Sequence, residues 1–313
     1  MMPKPAPLLT TLKQLMPSSL EKYWRLGRYD KPIGSHLFFM PAAWGLALAS
    51  PMWYPSPVLM LGCYVSASMI RGAGCAVNDW WDRDYDRQVE RCKTRPIASG
   101  EVNTAQAAVF FTWNSSPLIL GLLAGPLPTQ LAVCALLPMY CTYPLFKRVT
   151  YWPQVMLGFT FNMGTIIAYT LVTGELSAAA MALYLGGVSH TIVYDTLYAY
   201  QDRDDDINAG VKSTALRWGE NYKEWSSLFT GVSAVAWTAS GLLAGLDPAY
   251  YLGVSAAVGH MIWQFTTIDI NNKKDCWNKF ASNTYTCMFL LGGIMMAKWR
   301  MQQKKEMQKR VQH

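Results

Sequence analysis

The residues best suited to chemistry lie in "NDWWDRDYDRQVERCKTRPIASG", residues 78–100. Asn78, Asp82 and Asp86 recur every four residues, a spacing that puts them on one face of a helix. Asp79 and Asp84 stand among them, and Arg83, Arg87, Arg91, Lys93 and Arg95 are interleaved or follow. The arrangement returns about 120 residues later in "YDTLYAYQDRDDDINAGVKSTALRWGENYKE". There Asp195, Asp202 and Asp206 fall within about 40° of one another at helical periodicity, and Arg203, Lys212 and Arg217 accompany them. Clustered carboxylates repel one another unless a cation sits among them. Oxygen ligands with no His or Cys suit Mg²⁺, which takes one or two carboxylates and completes its shell with water and phosphate oxygens. Lys and Arg would hold the remaining phosphate oxygens. The chemistry this implies is capture of a metal-bridged diphosphate.

Three other readings compete with it. "DRDYD" and "DRDDD" begin like a calcium loop, but Arg87 and Ile207 occupy its glycine position and Lys93 and Ser213 its bidentate glutamate position. A solvated helix end explains one such cluster; it does not explain two, each followed by base. A proton or ion pathway expects acids near the middle of a membrane, whereas these sit at the ends of apolar runs.

Those runs are the elements that must position the acids. Of the 313 residues, 51% are apolar and only 15% charged, against roughly 25% charged in soluble domains. Nine apolar stretches can be drawn, at 34–50, 57–77, 104–124, 127–144, 152–173, 176–198, 225–244, 249–268 and 282–298. Each approaches the length needed to cross about 30 Å of hydrocarbon as a helix. The expected fold is therefore all-α, a multipass membrane protein of about nine transmembrane helices. With alternating crossings, the loops 78–103, 145–151, 199–224 and 269–281 share one side and carry 14 Lys or Arg, while the opposite loops carry none. The charged loops belong on the cytoplasmic or matrix-like side. The basic N-terminal segment (Lys13, Lys22, Arg25, Arg28, Lys31) belongs there too. The tail "KWRMQQKKEMQKRVQH" falls on the other side if the count is nine, against the rule.

The net charge of +7 thus reads as membrane topology and anionic ligands, with no nucleic-acid partner. Seven cysteines show no C-x-x-C pattern, and four histidines (His36, His190, His260, His313) form no metal-ligand pair. Buried structural thiols are expected. The first 20 residues hold two lysines and no arginine, a poor match to a transit peptide. The organisation expected is an N-terminal segment 1–23, a membrane domain 24–299 in two related halves (about 24–150 and 151–299), and a basic tail 300–313.

At the aspartate motifs the sequence resembles the UbiA superfamily of intramembrane aromatic prenyltransferases. N-D-x-x-D-x-x-x-D appears as Asn78 to Asp86, and D-x-x-x-x-x-x-D-x-x-x-D as Asp195, Asp202 and Asp206. "RYDKPIG", "RPIASG", "YPLFKRVTYWPQ", "YDTLYAYQD", "GVKSTALRWGE" and "DCWNKF" are most similar to the 4-hydroxybenzoate polyprenyltransferases, and the likeness runs over about 24–299. The resemblance implies nine helices around a central cavity with a polar cap. It implies Mg²⁺ held by Asn78, Asp82, Asp86, Asp202 and Asp206, and a polyprenyl diphosphate whose charge Arg95, Lys147, Arg148 and Lys212 neutralise. Asp82, Asp195, Asp202, Lys147 and Arg148 are the catalytic candidates. Arg28 and Arg71 are candidates for the carboxylate of 4-hydroxybenzoate or a related phenolic acid. Arg71 is favoured physically, because a cation inside a span needs a partner, with a motif aspartate as its alternative partner. Tyr143 and Tyr194 are acceptor-side or packing residues. A mitochondrial inner membrane follows for a ubiquinone pathway, and another intracellular or a bacterial inner membrane otherwise. The rival functions are a related enzyme of fungal meroterpenoid biosynthesis using another phenolic acid, and a lipid or ion transporter.

Overall fold

The computed structural model describes residues 16–87 and 92–311. Arg91, Lys13 and His313 lie outside them. A short amphipathic helix, α1 (Ser18–Leu26), precedes the long helices. These are α2 (Ile33–Ala49) and α3 (Pro57–Trp81), which leads into the short α4 (Arg83–Asp86). Then come α5 (Thr104–Asn114), α6 (Ser116–Ala124), α7 (Leu127–Val149), α8 (Pro153–Thr173) and α9 (Ala178–Ala199). A 3₁₀ turn at 200–202, α10 (Arg203–Ala209) and α11 (Thr214–Trp218) follow. The chain ends in α12 (Tyr222–Leu243), α13 (Tyr250–Thr267) and the long α14 (Lys273–Val311).

Counting α5 and α6 as one bent element, eight of the nine apolar stretches match a helix to within about five residues, and the ninth, 282–298, lies inside the longer α14 (Lys273–Val311). The 44° bend between α5 and α6 has a cause in "NSSP". Pro117 lacks an N–H to continue the ladder, and Asn114 turns its own amide back to the Phe110 carbonyl at 2.9 Å. By length and composition alone, α3, α7, α8, α11 and α12 taken together (Thr214–Leu243), and α14 can cross a membrane, and the bent pair makes six. At 17 residues α2 is short, and His190, Asp195, His260 and Gln264 dilute α9 and α13.

The helices pack in a closed circuit. Each long helix contacts the next, and α14 returns to α2. Inside the circuit α2 lies on α8, and α9 touches α8, α12 and α14, so α2 and α9 are buried over most of their length. Gly45 makes the α2–α8 approach possible, because a Cβ there would lie 2.3 Å from the Thr165 carbonyl oxygen. Outward faces stay apolar: Val109 is 71% and Trp113 72% exposed. Such faces are costly in water and ordinary against lipid.

Candidate active site

All motif acids collect at one end of the circuit. α3 carries Asn78 and Asp79 on its last turn and stops at Trp81. Asp82 then leaves helical geometry (φ −96°, ψ 2°) before α4 begins. The single uninterrupted helix face expected for Asn78, Asp82 and Asp86 is therefore broken in its middle. The same correction holds in the second half. Asp195 sits on the last turns of α9, the 3₁₀ turn follows, and Asp202 breaks the helix at φ −108°, ψ 3° before α10. Asp82 and Asp202, 120 residues apart, thus hold matching break positions.

Three carboxylates of the first cluster are buried. Asp79, Asp82 and Asp86 are 2%, 5% and 6% exposed, a depth that carboxylates tolerate only when paired. Lys147 pairs with Asp82, and Arg148 approaches it at 3.7 Å while donating to the Trp81 carbonyl at 2.9 Å. Arg95 donates to Asp86 at 2.8 Å and to Asp79 at 3.2 Å. Burial pushes the Asp86 carboxyl above its ordinary range, and the Arg95 charge opposes that push. Lys147 and Arg148 come from the last turn of α7, Arg95 from the loop after the first motif.

The second motif lines a cavity of about 110 Å³ with Tyr143, Lys147, Gln154, Asp195, Asp202, Asp206 and Lys212 among its walls. Lys147 joins the two motifs, because it borders this cavity and also reaches Asp82. Lys212 is placed by its backbone, whose N–H donates to the Lys147 carbonyl at 2.8 Å, and its ammonium donates to the Val149 carbonyl at 3.1 Å. Gln154, which sequence reasoning passed over, accepts from the Thr214 N–H at 3.1 Å. It thereby holds the "GVKST" loop to α8. Its one signal was a polar side chain in the first turn of an apolar run. A larger open groove of about 480 Å³, lined by Tyr23, Val109, Phe110 and Trp113, carries no ionised group and lies on the outer face of α5.

The acceptor-side candidates separate. Tyr143 borders the cavity. Tyr194 does not; it packs in the core against His190 and Phe280, with centroids 4.9 and 5.7 Å away. Arg71 forms neither of the ion pairs considered for it, with Asp79 or Asp82. It donates to the Arg28 carbonyl at 3.1 Å and lies over Gly34, where a Cβ would come within 2.4 Å of its Nε. Arg28 takes the aspartate instead, donating to Asp79 at 2.7 Å.

Among the described residues no three carboxylates, histidines or cysteines converge on one point. The donors of the two motifs are all oxygen, the ligand type Mg²⁺ takes, and one or two carboxylates suffice for it when phosphate and water supply the rest. The fit is therefore to a metal shared with a substrate diphosphate. Two mirrored acid clusters, each faced by base at one end of a helix circuit, find their counterpart in known proteins. Residues 38–293 match the UbiA prenyltransferase family. The chain belongs to that family. It is 40% identical over 310 residues to the mitochondrial 4-hydroxybenzoate polyprenyltransferase of Caenorhabditis elegans, covering 93% of this chain and 83% of that one. With the Homo sapiens protein of the same description, identity is 41%, covering 90% and 76%. Among solved structures, a UbiA homologue from Archaeoglobus fulgidus bound to GPP and Mg²⁺ superposes with a TM-score of 0.63 at 18% identity, covering 88% of this chain and 99% of that one. One from Aeropyrum pernix gives 0.63 at 19%, covering 86% and 98%. These two share the fold.

Proposed function

We propose that this UbiA-family prenyltransferase moves a polyprenyl group from its diphosphate to the ring of 4-hydroxybenzoate, ortho to the phenol, as in ubiquinone biosynthesis. Its place would be the mitochondrial inner membrane, its Caenorhabditis elegans and Homo sapiens relatives being mitochondrial proteins. The observation that carries this reading is the cavity in which Asp195, Asp202 and Asp206 face Lys147 and Lys212 while Lys147 also holds Asp82 of the first motif. One diphosphate bound there would touch both halves.

Asn78, Asp82 and Asp86, with Asp202 and Asp206, would hold Mg²⁺. When bound, the ion neutralises diphosphate oxygens and so eases loss of the leaving group. Arg95, Lys147, Arg148 and Lys212 bind the same oxygens and take up charge as the C–O bond breaks, where preorganised cations contribute most. The allylic carbon passes to the ring carbon, forming the C–C bond, and Asp195 takes the ring proton so that aromaticity returns. Tyr143, at the cavity wall, offers its ring face to the allylic cation. Arg28 and Arg71 orient the acceptor through its carboxylate. Apolar walls keep water from the cation.

Membranes containing the protein, incubated with Mg²⁺, a polyprenyl diphosphate and a panel of phenolic acids, should yield prenylated 4-hydroxybenzoate detectable by mass spectrometry. Excess chelator should stop the reaction. Preference for a different phenolic acid would move the acceptor assignment, and full turnover in chelator would remove the metal from the mechanism.

A further inference from the structure

Arg28 is held in a way that a solvated hinge would not be. Among the described residues it is the one non-glycine with positive φ, at 52°, because it closes α1 in a Schellman turn, its N–H donating to the Arg25 carbonyl and the Tyr29 N–H to the Trp24 carbonyl, each at 3.1 Å. Three contacts then hold its carbonyl and guanidinium. Arg71 donates to its carbonyl at 3.1 Å, Cys75 Sγ lies 3.3 Å from its Nη1, and the Asp79 carboxylate accepts from its Nη2 at 2.7 Å. Asp79 is 2% exposed. The oxygen that meets Arg28 also accepts from Arg95 at 3.2 Å, so it is already committed to two guanidinium groups.

We propose that Asp79, although it stands inside the first aspartate motif, is a positioning residue for Arg28 and not a metal ligand. It fixes the guanidinium that reads the acceptor's carboxylate. This rests on the acceptor assignment made under Proposed function. The two cations depend on Asp79 unequally. Arg95 keeps a second carboxylate, Asp86 at 2.8 Å, so it stays in place when Asp79 is neutralised. Arg28 has Asp79 as its one carboxylate partner among the described ion pairs. Loss of the Asp79 charge should therefore unseat acceptor recognition and leave donor and metal binding intact.

The test is a set of binding measurements on purified protein in detergent. In metal-free buffer, the Kd for 4-hydroxybenzoate should rise about tenfold in Asp79→Ala and several-fold in Asp79→Asn, and Asp79→Glu should recover part of the loss. The Asn variant preserves shape, so it carries the test should Ala fail to fold. The Kd for a prenyl diphosphate analogue, and for Mn²⁺ as a spectroscopic substitute for Mg²⁺, should stay within about twofold. In the Arg28→Gln background, Asp79→Asn should add no further loss of acceptor affinity. A tenfold weakening of Mn²⁺ would make Asp79 a ligand and overturn the proposal. Equal loss for donor and acceptor would overturn it too, as would additive losses in the double variant or unchanged acceptor binding in Asp79→Asn. Failure of the wild type to bind 4-hydroxybenzoate would instead remove the acceptor assignment itself.

Discussion

At the scale of single residues, Asp82 and Asp202 occupy matching breaks but different surroundings. Asp82 is buried and held by Lys147 and Arg148, while Asp202 is half-exposed on the cavity wall. Removal of Asp82 leaves the half-buried Lys147 without its carboxylate, a loss that costs up to about 1–3 kcal/mol where the stranded group is fully buried and less where water reaches it. Removal of Asp202 should cost less stability. Both Asp82→Ala and Asp202→Ala should still lose more than about nine-tenths of the turnover rate, a barrier increase above about 1.4 kcal/mol. Steady-state rates and detergent melting curves on the same two variants separate the effects. A variant that keeps more than about a tenth of the wild-type rate would exclude that residue from the diphosphate site.

At the scale of elements, α14 shows how a helix continues past the membrane without being loose. Its last turns carry Arg300 and Lys304, which reach back to Asp247 in the loop before α13 at 3.2 and 2.6 Å. Lys298 donates to the Leu48 carbonyl at 2.7 Å, closing the end of α2. The Lys304 hydrogen bond, the Ala249 N–H and the Arg300 charge hold the Asp247 carboxyl below its ordinary range. A carboxyl lowered in the folded state contributes its stabilisation above the unfolded pKa and loses it as pH falls through the folded value. Hydrogen-exchange protection of residues 300–311, corrected for intrinsic rate, should therefore be unchanged from pH 7 to 5. It should collapse only below the normal carboxylate range, and Asp247→Asn should show the collapse already at pH 7. Protection in that variant equal to wild type would mean that helix propensity alone holds the tail. The apolar runs gave no sign of this clip, because an exposed-looking "GLDP" loop and a basic tail meet only once the bundle is closed. The breaks at Asp82 and Asp202 were hidden for the same reason. A spacing of four reads as helix, and Lys147 of α7, which pairs with Asp82 at the first break, lies 65 residues further on. What the spacing did reveal was which acids would gather, since the spans that lead into them, α3 and α9, ended within about a turn of where hydropathy placed them, whereas α14 runs on past 298 to Val311. We propose that the repeated break marks the two related halves as copies of one span–turn–helix unit.

At the scale of the whole molecule, the circuit counts nine long elements among the described residues, with α5 and α6 taken as one, and its two ends lie at opposite ends of the bundle. α1 lies with the motif loops, where Arg25 pairs with Glu101, and the tail lies with Asp247 and the end of α2. The basic tail thus departs from the charge asymmetry of the loops. Two features make that departure tolerable. Asp247 offsets part of the tail's charge, and the cations of the motif side are more numerous and sit in short loops, where the bias acts most strongly. If the bundle crosses a bilayer in this way, positions 207 and 307 face different compartments. Ile207 and Met307 are 59% and 67% exposed and outside the apolar runs, so Ile207→Cys and Met307→Cys can each be introduced into a cysteine-free background. A membrane-impermeant maleimide added outside sealed vesicles of one orientation should label one variant and spare the other. Permeabilising the vesicles should then label both. Labelling of both variants before permeabilisation would place the tail beside the motif loops, require an even number of crossings, and demote one of the nine long helices to a segment that enters the bilayer and returns.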